Sequence, residues 1–169
     1  EAQRLCRAYG VLLVVDEVQT GLGRTGRLFA CEREGITPDV LTLAKALGGG
    51  LMPVGAVLLT EAAMSDTYFS KHSSTFAGGA LACRAALASL DLLTRNDREL
   101  VKEVARKGAR LKADLEALRE RYPKAVRAVR GQGFMLGIEL AATRASHHQS
   151  LVGILGEQGL LAPLVASYL

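Results

Sequence analysis

A carboxylate and a lysine in neighbouring segments of the chain are the residues best suited to chemistry. Asp16 follows an apolar run at residues 11–15, and Lys45 lies 29 positions later, next to the glycines at 48–50. An apolar run of this kind predicts a strand buried on both faces of a parallel sheet, and such sheets bind ligands beyond the carboxyl ends of their strands. A carboxylate there needs a cation or hydrogen-bond donors, and a desolvated lysine becomes nucleophilic. The pair suits pyridoxal phosphate (PLP), which needs an acid beside its ring nitrogen and a lysine that forms an imine.

The bulk properties exclude several classes of protein. The 169 residues are 49% hydrophobic and 22% charged, which is typical of a globular domain with a core. The basic residues alternate with acidic ones on a helical segment and the net charge is only +4, so we expect no nucleic-acid partner. No apolar stretch approaches the roughly 18 residues of a membrane span, so we expect no membrane partner. Cys6, Cys31 and Cys83 lack a metal-ligand spacing, so we expect no metal, and we expect reduced thiols in a cytoplasmic protein.

Hydrophobic periodicity and breaker residues predict an α/β fold. We expect strands at 11–15, 40–43, 54–59, 126–129 and 134–140, and helices at 1–9, 61–67, 79–93, 96–122 and 150–158. Asn96 is the expected cap of the long helix, with Glu99 completing a capping box. We expect the early strands to form a mostly parallel sheet and the later elements to form an α+β unit.

Five segments together resemble the class III (ω-amino) PLP-dependent aminotransferases of fold type I. They are Asp16-Glu17-Val18-Gln19-Thr20-Gly21-Leu22-Gly23-Arg24-Thr25-Gly26, Pro38-Asp39, Lys45 with Gly48-Gly49-Gly50, Pro53-Val54-Gly55-Ala56 and His72-Ser73-Ser74-Thr75-Phe76. The resemblance covers roughly residues 5 to 140. It implies that residues 1–95 are the C-terminal part of the PLP-binding large domain, and that residues 96–169 are a connecting helix and a partial small domain.

The resemblance assigns roles to the residues around the first strand. Lys45 would hold PLP as an imine and shuttle a proton, whereas a lone lysine is more often a surface residue. A buried Asp16 would pair with the protonated ring nitrogen, although an acid at a strand end can also cap a loop. Val18 would pack against the ring or belong to the ordinary core. Gln19 would donate to the phenolic oxygen or lie solvated in a loop.

The segment before the third predicted helix resembles the family's phosphate-binding contact. Thr75, with Ser74 beside it, would reach the PLP phosphate of the neighbouring subunit, which implies a homodimer with shared active sites. A plain helix cap is the alternative. The family usually continues with Gly-Gly-Asn-Pro after this point, where the chain has Ala77-Gly78-Gly79-Ala80, so the start of the helix departs from the pattern.

The implied reaction moves an amino group, often a terminal one, from an amine or amino acid to a 2-oxo acid. A PLP-dependent aminomutase and a catalytically incompetent fragment or remnant stay open as alternatives. The Gly-rich phosphate loop and the ring-stacking aromatic of the family have no counterpart in the chain. We therefore expect a fragment that is a poor enzyme by itself.

Overall fold

The computed structural model describes residues 1–71, 74–141, 159–160, 162–163 and 166, and shows a mixed α/β chain. Its α-helices and strands are α1 (Ala2–Ala8), β1 (Val14–Asp16), β2 (Val40–Leu43), β3 (Ala56–Leu59), α2 (Asp66–Lys71), α3 (Ala80–Arg121), β4 (Val126–Gln132) and β5 (Met135–Leu140). Short 3-10 helices span Ala30–Glu34, Lys45–Gly48 and Glu61–Ala63. The helix expected at 150–158 and the His72-Ser73 pair lie outside the described residues.

The first three strands form one sheet in the order β1-β2-β3. β1 runs parallel to β2, with Val14 opposite Val40 and Asp16 opposite Thr42. β3 runs antiparallel to β2, so the described sheet is mixed. The register places Asp16 and Thr42 side by side near the carboxyl ends of two parallel strands.

The predicted burial of the first strand is wrong. β1 begins at Val14 rather than at residue 11, and Val11, Leu12 and Val14 are exposed by 57%, 52% and 58%. β1 is an edge strand of the described sheet and therefore has a partner on one side only. Its start is fixed by Asp39, whose carboxylate accepts a hydrogen bond from the Leu13 amide at 2.8 Å.

The core of the first compact unit (Glu1–Lys107 with Gly133–Met135) lies beside β2. Its buried cluster contains Leu22, Leu41, Leu43, Leu47 and Ala86. The 3-10 helix Lys45–Gly48 buries Leu47 while its first residue stays exposed. The lysine is thus carried by a turn that the core anchors.

The long helical segment α3 contains the predicted break between two helices. Backbone angles leave the helical region from Arg95 to Arg98, and Asn96, Asp97 and Arg98 have positive φ. Asn96 has φ 50° and ψ 45°, so it is not in the extended conformation of a helix cap. The predicted cap at Asn96 is wrong because the extended residue at the break is Arg95, with ψ 159°.

The second compact unit comprises Gly108–Gln132 and Leu136–Leu169. It contains the end of α3 and most of the β4-β5 hairpin, in which Glu139 pairs with Arg127 and Arg130 at 3.2 and 2.9 Å. Within the described residues, no helix is both long and apolar enough to cross a membrane. The domain boundary at residues 95 and 96 stays a prediction.

Candidate active site

The structure brings Asp16, Gln19 and Lys45 together at the carboxyl ends of β1 and β2. The Lys45 amine donates a hydrogen bond to Gln19 Oε1 at 3.3 Å. The positive charge of Lys45 also acts on the Asp16 carboxylate. The site therefore combines an amine, an amide and a carboxylate that come from two segments of the chain.

The Asp16 carboxylate is fixed through one of its oxygens. Oδ1 accepts hydrogen bonds from the Val18 amide at 2.9 Å and from the Thr42 hydroxyl at 2.8 Å. These two bonds lower the pKa of Asp16 below its ordinary value, and the nearby Lys45 lowers it further. Oδ2 accepts no hydrogen bond within the described part of the chain. A fixed, ionised carboxylate with a free oxygen is suited to a cationic N–H donor.

Thr42 is the site residue that the sequence did not reveal. Its hydroxyl reaches Asp16 because the two residues face each other across the parallel β1-β2 ladder. The available signal was positional, since Asp16 and Thr42 both lie near the end of a predicted strand. The register that pairs them follows from the fold and not from either segment alone.

Lys45 has the left-handed backbone conformation that L-residues avoid, with φ 47°. The angle costs about 1–2 kcal/mol, which the packing of the turn must offset. Gly49, at φ 64°, allows the chain to turn again directly after the 3-10 helix. A backbone strained at a chemically competent residue marks that residue as a functional candidate.

The expected burial of Asp16 and Lys45 is not observed, since both side chains are exposed. Among the described elements, the edge strand β1 and its partner β2 provide the carboxyl ends that border the site, and the outer side of β1 is uncovered. Val18 is half-buried and its amide binds Asp16, whereas Gln19 is exposed. The polar groups are thus in place without an enclosing wall.

Ser74 and Thr75 come from the segment that precedes α3. No hydrogen bond within the described residues joins either of them to Lys45, Asp16 or Gln19. Ser74 lines a mostly apolar cavity beside β2 and β3 that Thr42 and Ala44 also line, and Thr75 begins a turn at 75–78. Since α3 begins at Ala80, neither residue is its cap.

Comparison with known families identifies the chain. The family model described as Aminotransferase class-III matches residues 1–166. The chain belongs to the class III aminotransferases. This family membership, predicted from the five segments together, is confirmed, and so is the α/β fold class of the fold type I transferases.

Solved structures of aminotransferases and of a transaminase are similar to the chain. An acetylornithine aminotransferase from Elizabethkingia anophelis is 38% identical with a TM-score of 0.75, over 86% of this chain and 35% of its own. An ornithine aminotransferase from Toxoplasma gondii, crystallised with oxidised glutathione and with partial occupancy of PLP at its active site, is 39% identical with a TM-score of 0.75 over 83% and 33%. An (S)-enantioselective omega-transaminase from Thermomicrobium roseum is 38% identical with a TM-score of 0.74, over 83% and 31%. The chain spans about a third of the length of these three structures.

Proposed function

We propose that the chain carries the cofactor lysine of a PLP-dependent transaminase, which moves an amino group from an amine or amino acid to a 2-oxo acid. The observation that carries the proposal is the convergence of Lys45, Gln19 and a fixed Asp16 at the ends of two parallel strands. Membership of the class III aminotransferases supports it.

The donor set fits PLP. Asp16 Oδ2 would accept from the protonated ring nitrogen, and the bonds that keep Asp16 ionised would keep that proton on the ring. Gln19 contacts Lys45 through Oε1, which leaves its NH₂ group to donate to the phenolic oxygen. Val18 would pack against the ring. When bound, PLP supplies an electrophilic carbon and a ring that withdraws electrons.

Lys45 would act twice in the reaction. Its exposed amine would attach the cofactor, and once displaced by the substrate amine it would accept and return a proton. Gln19, 3.3 Å from Nζ, would limit the positions of that amine. The left-handed backbone of Lys45 would direct the side chain from a turn that Leu47 anchors in the core.

The phosphate contact and the assembly form part of the same proposal. Ser74 and Thr75 form no hydrogen bond with Lys45 within the described residues, and the segment around Thr75 resembles the family's contact to the PLP phosphate of the neighbouring subunit. We therefore infer a homodimer with shared sites. The free thiols of Cys6, Cys31 and Cys83 support a cytoplasmic location.

Covalent capture tests the role of Lys45. The chain is incubated with PLP, reduced with borohydride, digested and analysed by mass spectrometry. We expect a visible absorption band that borohydride removes and a reduced adduct on Lys45 that Lys45→Ala abolishes. The matched control is Lys107→Ala, which removes another lysine that pairs with Glu103 at 2.8 Å, and it should leave the adduct unchanged. An adduct that persists in Lys45→Ala would contradict the proposal.

Transfer of nitrogen separates a transaminase from an aminomutase. Chain that is loaded with PLP and not treated with borohydride is mixed with an amino donor and 2-oxoglutarate, and glutamate is measured. Glutamate that forms only when both substrates are present indicates transamination. Rearrangement of the donor without glutamate would indicate the isomerase.

A further inference from the structure

The most buried large side chain in the described structure is a carboxylate next to the site. Glu17 is 1% exposed, whereas the adjacent Asp16 is exposed. Glu17 forms no ion pair within the described residues. A buried carboxylate is costly unless hydrogen-bond donors satisfy it, so its position requires an explanation.

Two donors hold Glu17, and they come from different parts of the chain. Oε1 accepts from the Cys31 amide at 2.8 Å, and Oε2 accepts from the Thr20 hydroxyl at 2.5 Å. Cys31 belongs to the 3-10 helix Ala30–Glu34, and Thr20 follows the site residues. The side chain therefore ties the turn at 17–21 to the segment at 30–34.

The backbone of the same turn closes around Glu17. The Gly21 amide donates to the Glu17 carbonyl at 3.0 Å. A Cβ at position 21 would lie 2.9 Å from that carbonyl oxygen and 3.1 Å from Glu17 Cβ, so only glycine fits. Gln19 lies within this turn and reaches the Lys45 amine.

We propose that Glu17 is a positioning residue, whose buried carboxylate holds the turn at 17–21 so that Gln19 stays within reach of the Lys45 amine. The inference rests on the proposed function for the role of Lys45. It adds that the two neighbouring carboxylates act on opposite sides of the backbone. Asp16 would face the cofactor, and Glu17 holds the turn that carries Gln19.

Four variants separate positioning from simple stabilisation. Glu17→Ala removes both acceptors and leaves the Cys31 amide without its partner. Glu17→Gln keeps the shape, with one carbonyl for that amide and an NH₂ group that donates to the Thr20 hydroxyl. Gln19→Ala removes the contact with Lys45. The matched control is Glu34→Ala, an exposed carboxylate at the end of the Ala30–Glu34 helix.

Two measurements are made on each variant and on Glu17→Ala/Gln19→Ala. Hydrogen exchange of the amides at 18–21 and 31, without PLP, reports on the turn. The rate of borohydride-fixed PLP addition to Lys45 reports on the site. We expect Glu17→Ala to accelerate exchange about tenfold or more, because a buried donor loses its partner. We expect its PLP addition to slow to the rate of Gln19→Ala, with no further loss in the double variant.

Glu17→Gln should stay within about threefold of the unmodified chain in both measurements, because it retains an acceptor and a donor. Glu34→Ala should match the unmodified chain. The proposal is overturned if Glu17→Ala accelerates hydrogen exchange and leaves the rate of PLP addition unchanged, or if the effects of Glu17→Ala and Gln19→Ala on that rate add. Should Glu17→Ala not fold, Thr20→Val removes only the Oε2 donor and carries the same expected directions.

Failure of the proposed function gives a different result. If PLP never adds to Lys45 in the unmodified chain, the cofactor role of Lys45 is refuted and hydrogen exchange alone decides on Glu17. Faster hydrogen exchange at 18–21 in Glu17→Ala, together with exchange in Glu17→Gln at the rate of the unmodified chain, then supports a role of Glu17 in positioning the turn. Unchanged exchange overturns it.

Discussion

Alanine in place of Gly133 should destabilise the chain, because its Cβ would collide with the backbone of residues 24–26. Gly133 has φ +56°, and a Cβ there would lie 2.5 Å from the Thr25 carbonyl carbon, 2.6 Å from the Arg24 carbonyl oxygen and 2.8 Å from the Gly26 amide nitrogen. All three atoms belong to the backbone. The Phe134 amide also donates to the Arg24 carbonyl at 3.0 Å, so the loop cannot retreat without losing this bond.

The expected free-energy change has two parts. A side chain in the left-handed region costs about 1–2 kcal/mol. Overpacking against atoms that cannot move aside costs about 1–3 kcal/mol more. Gly133→Ala should therefore lower the free energy of unfolding by about 2–5 kcal/mol, since both terms apply.

Alanine substitutions at two other glycines separate the conformational cost from the overpacking cost. Gly10 has φ +63°, and a Cβ there would meet no atom of the described residues within 4 Å, so Gly10→Ala carries only the conformational cost of about 1–2 kcal/mol. Gly137, in β5, lacks a positive φ, and a Cβ added there would also meet no atom of the described residues within 4 Å. Gly137→Ala should therefore change the free energy of unfolding by less than about 1 kcal/mol. Urea denaturation followed by circular dichroism gives the three values. If Gly133→Ala costs no more than Gly10→Ala, the close approach of this turn to residues 24–26 is refuted.

Two further predictions concern ionisation. The Asp16 pKa lies below its ordinary value, so Asp16 stabilises the folded chain above that value and the contribution is lost as pH falls through the lowered pKa. Thr42→Val removes one of the donors and should raise the Asp16 pKa in an NMR titration of the carboxyl carbon; an unchanged titration would refute the hydrogen bond. The pKa of the Cys31 thiol is raised, mainly by its partial burial and then by the neighbouring Glu17 carboxylate. At pH about 8, iodoacetamide should therefore modify the exposed Cys83 faster than Cys31, which peptide mass spectrometry can measure. Equal rates would contradict the partial burial of Cys31.

The sequence predicted the positions of the strands better than their burial. The strand at Val40–Leu43 was predicted with its observed bounds, because a short apolar run after Pro38-Asp39 has few alternatives. The run at 11–15 is also apolar, but only Val14–Asp16 is a strand. The burial of this strand depends on what covers the outer side of β1, and composition does not indicate whether a strand lies at the edge of a sheet or in its interior.

In the candidate site, too, the identity of most residues could be predicted but their exposure could not. Asp16, Gln19 and Lys45 could be selected from residue type, spacing and motif, and the structure brings them together. Their exposure could not be predicted, because it depends on how many strands and loops border the crevice. Thr42 could not be selected because it carries no distinctive chemistry, and only the β1-β2 register gives it a role.

The two adjacent carboxylates show why the motif at 16–21 needs both acids. The Asp16 side chain is exposed and the Glu17 side chain is buried, so the two carboxylates have different surroundings. Asp16 is held from β2 by the Thr42 hydroxyl, and Glu17 is held from the Ala30–Glu34 helix by the Cys31 amide. The short segment between β1 and Gly21 is thus fixed on both of its sides. A residue such as Gln19, on an exposed turn, can keep a defined contact with the Lys45 amine only if the turn itself cannot move, and the buried acid provides that restraint.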